Sequence, residues 1–104
     1  MVDVLNEKTF DEAIKNNKKV FVDFYADWCG PCRAMGPVVE ELSNELEDVK
    51  FFKVDCDENE ELCVRFRITS IPCFLIFKDG NLTNRFVGMR DKESFKEALW
   101  VMTL

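Results

Sequence analysis

Cys29 and Cys32, with only Gly30 and Pro31 between them, are the residues whose type and spacing most plainly invite chemistry. An apolar run precedes them and a helical pattern follows, so the pair stands at a helix start, where two sulfurs within one turn can close a small-ring disulfide. A thiolate there is stabilised by unpaired backbone N–H groups and by the positive end of the helix dipole, which lowers the pKa of Cys29. Cys29 is therefore expected to be the exposed nucleophile that attacks a disulfide, and Cys32, one turn deeper, the thiol that resolves the mixed disulfide. Gly30 lets another backbone come close, and Pro31 stiffens the loop. The competing chemistry is half of a zinc site, but the chain has no histidine, and Cys56, Cys63 and Cys73 do not form a second knuckle. No metal is expected.

Two charged residues in apolar surroundings could serve the pair. Asp23 interrupts the most hydrophobic stretch, Lys19 to Ala26, where a carboxylate is costly and tends to keep its proton. It is expected to take the proton from Cys32 during resolution, through a water; the bland alternative is a strand-end or bulge residue facing solvent. Lys53 lies centrally in the next strand pattern, either close enough to modulate Asp23 or at an edge with its head in water.

The elements that must position these groups can be read from the periodicity. Met1 to Leu5 reads as a short strand, and Asn6 offers a cap to a helix carrying Phe10, Ala13 and Ile14. Lys19 to Ala26 is a β-branched and aromatic run typical of a strand buried on both faces. From Pro31 to about Leu46, Met35, Val39, Leu42 and Leu46 form one stripe of a helix, with a kink expected near Arg33 to Gly36 because Pro37 lies inside it. Val49 to Cys56 reads as a strand and Glu58 to Arg65 as a short helix. Asp79-Gly80 between two extended runs predicts a hairpin with a type I′ turn, and Asp91 caps a last helix whose Phe95, Ala98, Leu99 and Met102 face inward. The order β-α-β-α-β-α-β-β-α predicts an α/β fold with a central mixed five-stranded sheet flanked by four helices, one domain over residues 1–104.

Composition narrows the setting. The net charge of -6 disfavours nucleic acid and anionic membrane surfaces as partners. Acids crowd between Glu40 and Glu61, a solvated face or a docking surface. No stretch is long and apolar enough to span a membrane, and Met1 to Glu7 lacks the pattern of a secretion signal, so a cytoplasmic monomer is expected.

Taken together, the segment Phe21 to Cys32, with Trp28-Cys29-Gly30-Pro31-Cys32 at its end, Pro37, Ile71-Pro72, Lys78-Asp79-Gly80 and Val87-Gly88 resemble the thioredoxin family over essentially the whole chain. The resemblance implies the thioredoxin fold, a cis Pro72 opposite the cysteines, and a shallow groove for partner proteins formed by Trp28, Ile71, Pro72, Gly88 and Met89. It implies a protein-disulfide oxidoreductase that reduces disulfides in client proteins, needs no cofactor beyond its own Cys29/Cys32 pair, and is recharged by a thioredoxin reductase. Two alternatives stay open: an oxidant or isomerase, and a binding module that does not need its thiols. Tyr25 stands where many members carry Trp. Cys73 stands where Thr is usual, either as a buried small hydrophobe or as a thiol able to pair with Cys29.

Overall fold

Lys19–Tyr25 forms the middle strand, β2, and its five central residues are all buried, as a continuous run of apolar and aromatic side chains requires of a strand covered on both faces. In the computed structural model, which describes residues 1–101, the other elements are β1 (Val2–Val4), α1 (Phe10–Asn16), α2 (Gly30–Glu45), β3 (Lys50–Asp55), α3 (Glu60–Arg65), β4 (Cys73–Lys78), β5 (Asn81–Val87) and α4 (Lys92–Val101). The sheet order is β1-β3-β2-β4-β5, parallel among β1, β3 and β2 and antiparallel from β2 through β4 to β5. The α/β class, the mixed sheet and the element order agree with the periodicity. No helix among the described residues is long and apolar enough to cross a membrane.

Alternation along β2 divides the core into two layers. Val20, Val22 and Phe24 face α1 and α3, packing with Phe10, Ile14 and Leu62. Phe21 faces α2 and α4, packing with Met35, Val39, Leu42, Phe95 and Leu99. Phe95 is the hub of this second layer, its ring 5.2 Å from Phe21, 4.9 Å from Phe74 and 5.4 Å from Phe86, each at a steep interplanar angle. Lys92 and Lys96 of α4 both reach Glu45 of α2, but these contacts are largely solvent-exposed and contribute little beside the ring cluster.

Turn chemistry sets several boundaries. Asp79 and Gly80 have φ of 51° and 84°, the two left-handed positions of the expected type I′ turn. The Asp91 carboxylate accepts from the backbone N–H of Ser94 and caps α4. Met102, expected on the inner face of that helix, lies outside the described residues. Asn6 does cap, but a turn: its Oδ1 accepts from the N–H groups of Lys8 and Thr9, and α1 starts only at Phe10. Likewise α3 starts at Glu60 and not Glu58; the buried Asn59 before it donates to Asp55 O and accepts the N–H of Glu7. Pro37 does not end α2, which runs on to Glu45.

Phe95→Ala removes the ring shared by three others and should cost about 3–5 kcal/mol of stability in urea unfolding. A loss below about 1 kcal/mol would contradict its place at the centre of that layer.

Candidate active site

The chain leaves β2 at the end of the sheet and turns at once into α2. Cys29 N–H donates to Ala26 O at 3.1 Å, and Cys29 becomes the residue that caps the helix, with extended backbone angles of φ -84° and ψ 110°. Its Sγ accepts the N–H of Cys32 at 3.2 Å, the place a serine or aspartate oxygen usually takes. Pro31 occupies the first turn, where its missing N–H costs nothing. Cys29 and Cys32 are joined as a disulfide, with Cα atoms 5.2 Å apart. Negative charge on Cys29 Sγ would thus meet a backbone donor and the positive end of a helix of 16 residues.

One expectation about exposure changes. Cys29 is only 5% exposed in the disulfide, as is Cys32: the two cluster with Ala26; Tyr25 and Ile71 pack against that cluster, and the Ile71 carbonyl oxygen lies 3.8 Å from Cys29 Sγ. The exposed part of the site is its rim, with Trp28 at 68% and Met89 at 59%. Trp28 is therefore not part of the core. Its indole Nε1 donates to Asp57 Oδ2 at 2.9 Å, which holds the ring beside the cysteines. Asp57 was not distinguishable in the sequence, where it is one acid in an acidic stretch.

Opposite the pair, the Ile71–Pro72 peptide is cis, in agreement with the family resemblance. Pro72 O accepts the N–H of Gly88 at 2.8 Å, and Gly88 takes a φ of 87°, so this glycine makes the turn that joins β5 to the site. Gly30 differs: a Cβ there would meet nothing of the protein nearer than Arg33 at 4.0 Å. Packing within the chain does not demand glycine at this position, and the space beside it opens outward.

Asp23 shares the α2 side of the sheet with Phe21 and pairs in register with Lys53 of β3. It is 6% exposed, and its Oδ1 has no hydrogen-bond partner. Burial pushes its pKa up to about 7, against the smaller opposing pull of Lys53. Lys53 is half-buried, with Nζ 5.6 Å from the centroid of the Tyr25 ring. Burial, and then the nearby Asp55, Asp27, Asp23 and Glu58, raise the pKa of the Tyr25 hydroxyl.

The other three thiols are of a different kind. Cys56 and Cys63 are half-buried free thiols hydrogen-bonded to each other, and burial raises the pKa of both. Cys73 is 1% exposed in the α1/α3 layer, and burial raises its pKa too, in part offset by Arg85, whose Nη1 donates to Cys73 Sγ at 3.8 Å. These are the surroundings of an unreactive thiol and support the buried-hydrophobe reading of Cys73. Among the described residues no group of three acidic, cysteine or histidine side chains could hold a metal ion.

A sulfur held as the cap of a helix, bonded to a second sulfur in the first turn, is equipped to take part in thiol–disulfide exchange and to be restored by it. With the mixed sheet around it, this defines a thiol–disulfide oxidoreductase of the thioredoxin fold. The chain belongs to the thioredoxin family, whose model matches residues 1–100. It is 40% identical to a thioredoxin of Mycoplasmoides gallisepticum over 95% of this chain and 99% of that protein. It is 43% identical to a thioredoxin of Chlamydia pneumoniae over 89% of this chain and 90% of that one. Among solved structures, thioredoxin F from spinach chloroplast superposes with a TM-score of 0.92 at 34% identity, covering 99% of this chain and 94% of that chain. Fasciola hepatica thioredoxin gives 0.90 at 38% identity, over 96% and 98%.

The Asp23 carboxyl yields a stability prediction whose sign can be worked out. Its pKa is raised on folding from 3.8 to about 7, so the folded state binds the extra proton and stability falls as pH rises through that window. Asp23→Asn removes the effect. Its stability relative to the parent should grow by roughly 3 kcal/mol between pH 5 and pH 8, measured by urea unfolding of the oxidised proteins. An advantage independent of pH would mean that Asp23 titrates normally.

Proposed function

We propose that the chain reduces disulfides in client proteins, with Cys29 as the nucleophile and Cys32 as the resolving thiol. The observation that carries this reading is the Cys32 N–H directed at Cys29 Sγ at the start of α2. In the reduced protein, the Cys29 thiolate attacks one sulfur of a client disulfide, forming a mixed disulfide and releasing the other client sulfur as a thiolate, which takes up a proton. Cys32 then loses its proton and attacks Cys29 Sγ. The Cys29–Cys32 bond forms, the client's second sulfur leaves, and two electrons have passed to the client.

Asp23 is the proton acceptor for Cys32 in this scheme. A buried carboxyl with a pKa of about 7 is matched to proton exchange near neutral pH. Lys53, paired in register with it, modulates that affinity by favouring the carboxylate. Trp28, Gly30, Pro31, Ile71, Pro72, Gly88 and Met89 bind the client segment. The exposed faces of Trp28 and Met89, the outward space at Gly30 and the packing of Ile71 on the cysteines support that assignment.

The chain works as one domain over residues 1–104 and as a monomer in the cytoplasm, carries no cofactor beyond its dithiol, and receives electrons from a thioredoxin reductase. Family membership and the net charge of -6, unsuited to nucleic acid or anionic membranes, support this setting.

Cys32→Ser should accumulate a mixed disulfide with a disulfide-containing model protein, visible on a non-reducing gel and mapped to Cys29 by mass spectrometry. An adduct on Cys56, Cys63 or Cys73 would overturn the assignment of roles, and full activity of a Cys29→Ser/Cys32→Ser variant would favour a binding module. Asp23→Asn should slow release of the client from the mixed disulfide by at least about tenfold and remove the dependence of that step on pH near 7. Release at the parental rate and with the parental pH profile would dismiss Asp23 as proton acceptor.

A further inference from the structure

Just past the cis-proline, on the α1/α3 side of the sheet, Arg67, Thr69, Ser70, Cys73, Arg85 and Val87 line an open hollow of about 400 Å³. Two arginines, a threonine and a serine are among its lining residues, and no acidic residue is. Arg85 is fixed, with Nη2 donating to Phe66 O at 2.6 Å and Nη1 to Cys73 Sγ at 3.8 Å. Arg67 has a φ of 54°, the left-handed region that favours glycine, so the backbone there bears strain for a residue that is not glycine. Among the described residues the one arginine ion pair is Arg65 with Asp11. In a chain with 20 acids and 14 bases, Arg67 and Arg85 therefore face this hollow without a carboxylate partner.

The hollow adjoins, along the chain, the residues proposed above to bind the client. Ser70 precedes Ile71, Cys73 follows Pro72, and Val87 precedes Gly88, whose N–H bonds Pro72 O. The opposite rim carries the other sign: Asp57 holds Trp28, and Asp27, Asp55 and Glu58 lie close enough to act on Tyr25. A segment crossing Cys29 would pass from an acidic flank to a basic one.

We infer that the hollow is a specificity subsite that takes a carboxylate side chain of the client segment, held by the guanidiniums of Arg67 and Arg85 while a neighbouring client cysteine lies over Cys29. Guanidinium is suited to this because its planar fork matches the two oxygens of a carboxylate. The hydroxyls of Thr69 and Ser70 supply further donors. The inference rests on the reduction chemistry proposed above and adds to it a preference among clients.

The test uses peptides closed by an internal disulfide, identical except for Glu, Gln or Lys placed one to three residues from the attacked cysteine on either side. At one or more of these positions the Glu peptide should be reduced about fivefold faster than the Lys peptide at low salt. Arg67→Gly, which the backbone at this position favours, should bring that ratio below about twofold, and Arg67→Lys should retain a preference for Glu. The proposal is overturned by the absence of a Glu preference at every position, or by one that Arg67→Gly leaves unchanged. Equal rates for Glu and Lys, with both slowed by inorganic phosphate, would assign the hollow to a free anion and overturn it as well. The Gln peptide separates the two levels: if the unaltered protein reduces none of the peptides, the Cys29 chemistry itself fails, and the subsite falls with it.

Discussion

A sulfur atom caps the helix on which this protein depends. Helix starts leave N–H groups without partners, and a short polar side chain normally satisfies one of them. Here the acceptor is Cys29 Sγ, taking the N–H of Cys32. The same contact that orders the first turn of α2 also favours charge on the atom proposed as the nucleophile. Stability and reactivity are thereby tied to one geometry, and the rest of the fold can be understood as what holds that geometry in place. The middle strand β2 is buried on both faces, so its end is fixed, and Ala26 O takes the N–H of Cys29 as the chain turns into the helix. The Phe95 ring cluster then presses α4 and the α2 side chains onto the same sheet.

Asp23 is the conspicuous exception to good core chemistry. Within a layer of phenylalanines, an oxygen without a partner is a cost the fold carries. Lys53 lessens that cost without cancelling it, and the carboxyl is left titrating near neutral pH. A hydrophobic residue would suit the strand better on packing grounds alone. Departures from local consistency of this kind tend to fall at functional sites, and this one lies on the strand that leads into the cysteines. The three remaining thiols show the contrasting case: burial is the largest cause raising their pKa values, which disfavours the thiolate that exchange requires.

Much of this was legible in the residues. An unbroken apolar run identified β2, Asp79-Gly80 identified a type I′ turn, and the spacing of Cys29 and Cys32 identified their shared helical turn. What escaped were interactions between residues distant in sequence: Asp57 holding Trp28, Asn59 bridging two loops, and Arg67 and Arg85 meeting in one hollow. No local pattern marks such pairs, because they come together only when the sheet order is known. Asn59 illustrates the same limit at smaller scale, since its bond to the N–H of Glu7 forms only once the fold brings the two together. The burial of Cys29 was also beyond the sequence, because it depends on Ile71 arriving from the far side of the site. The cis Ile71–Pro72 bond could be expected from the family resemblance alone, as most X–Pro bonds in folded proteins are trans.

The most direct measurement of the central claim is a thiolate titration of the reduced protein, followed by ultraviolet absorbance near 240 nm and assigned with Cys29→Ser. The three other thiols, whose pKa values are raised, should stay silent at neutral pH, so the first step in absorbance belongs to the active pair. If the helix start stabilises the sulfur as described, that step falls clearly below the ordinary thiol value of about 8.5 and disappears in Cys29→Ser. A first step at or above about 8.5, or one that survives the loss of Cys29, would contradict the account.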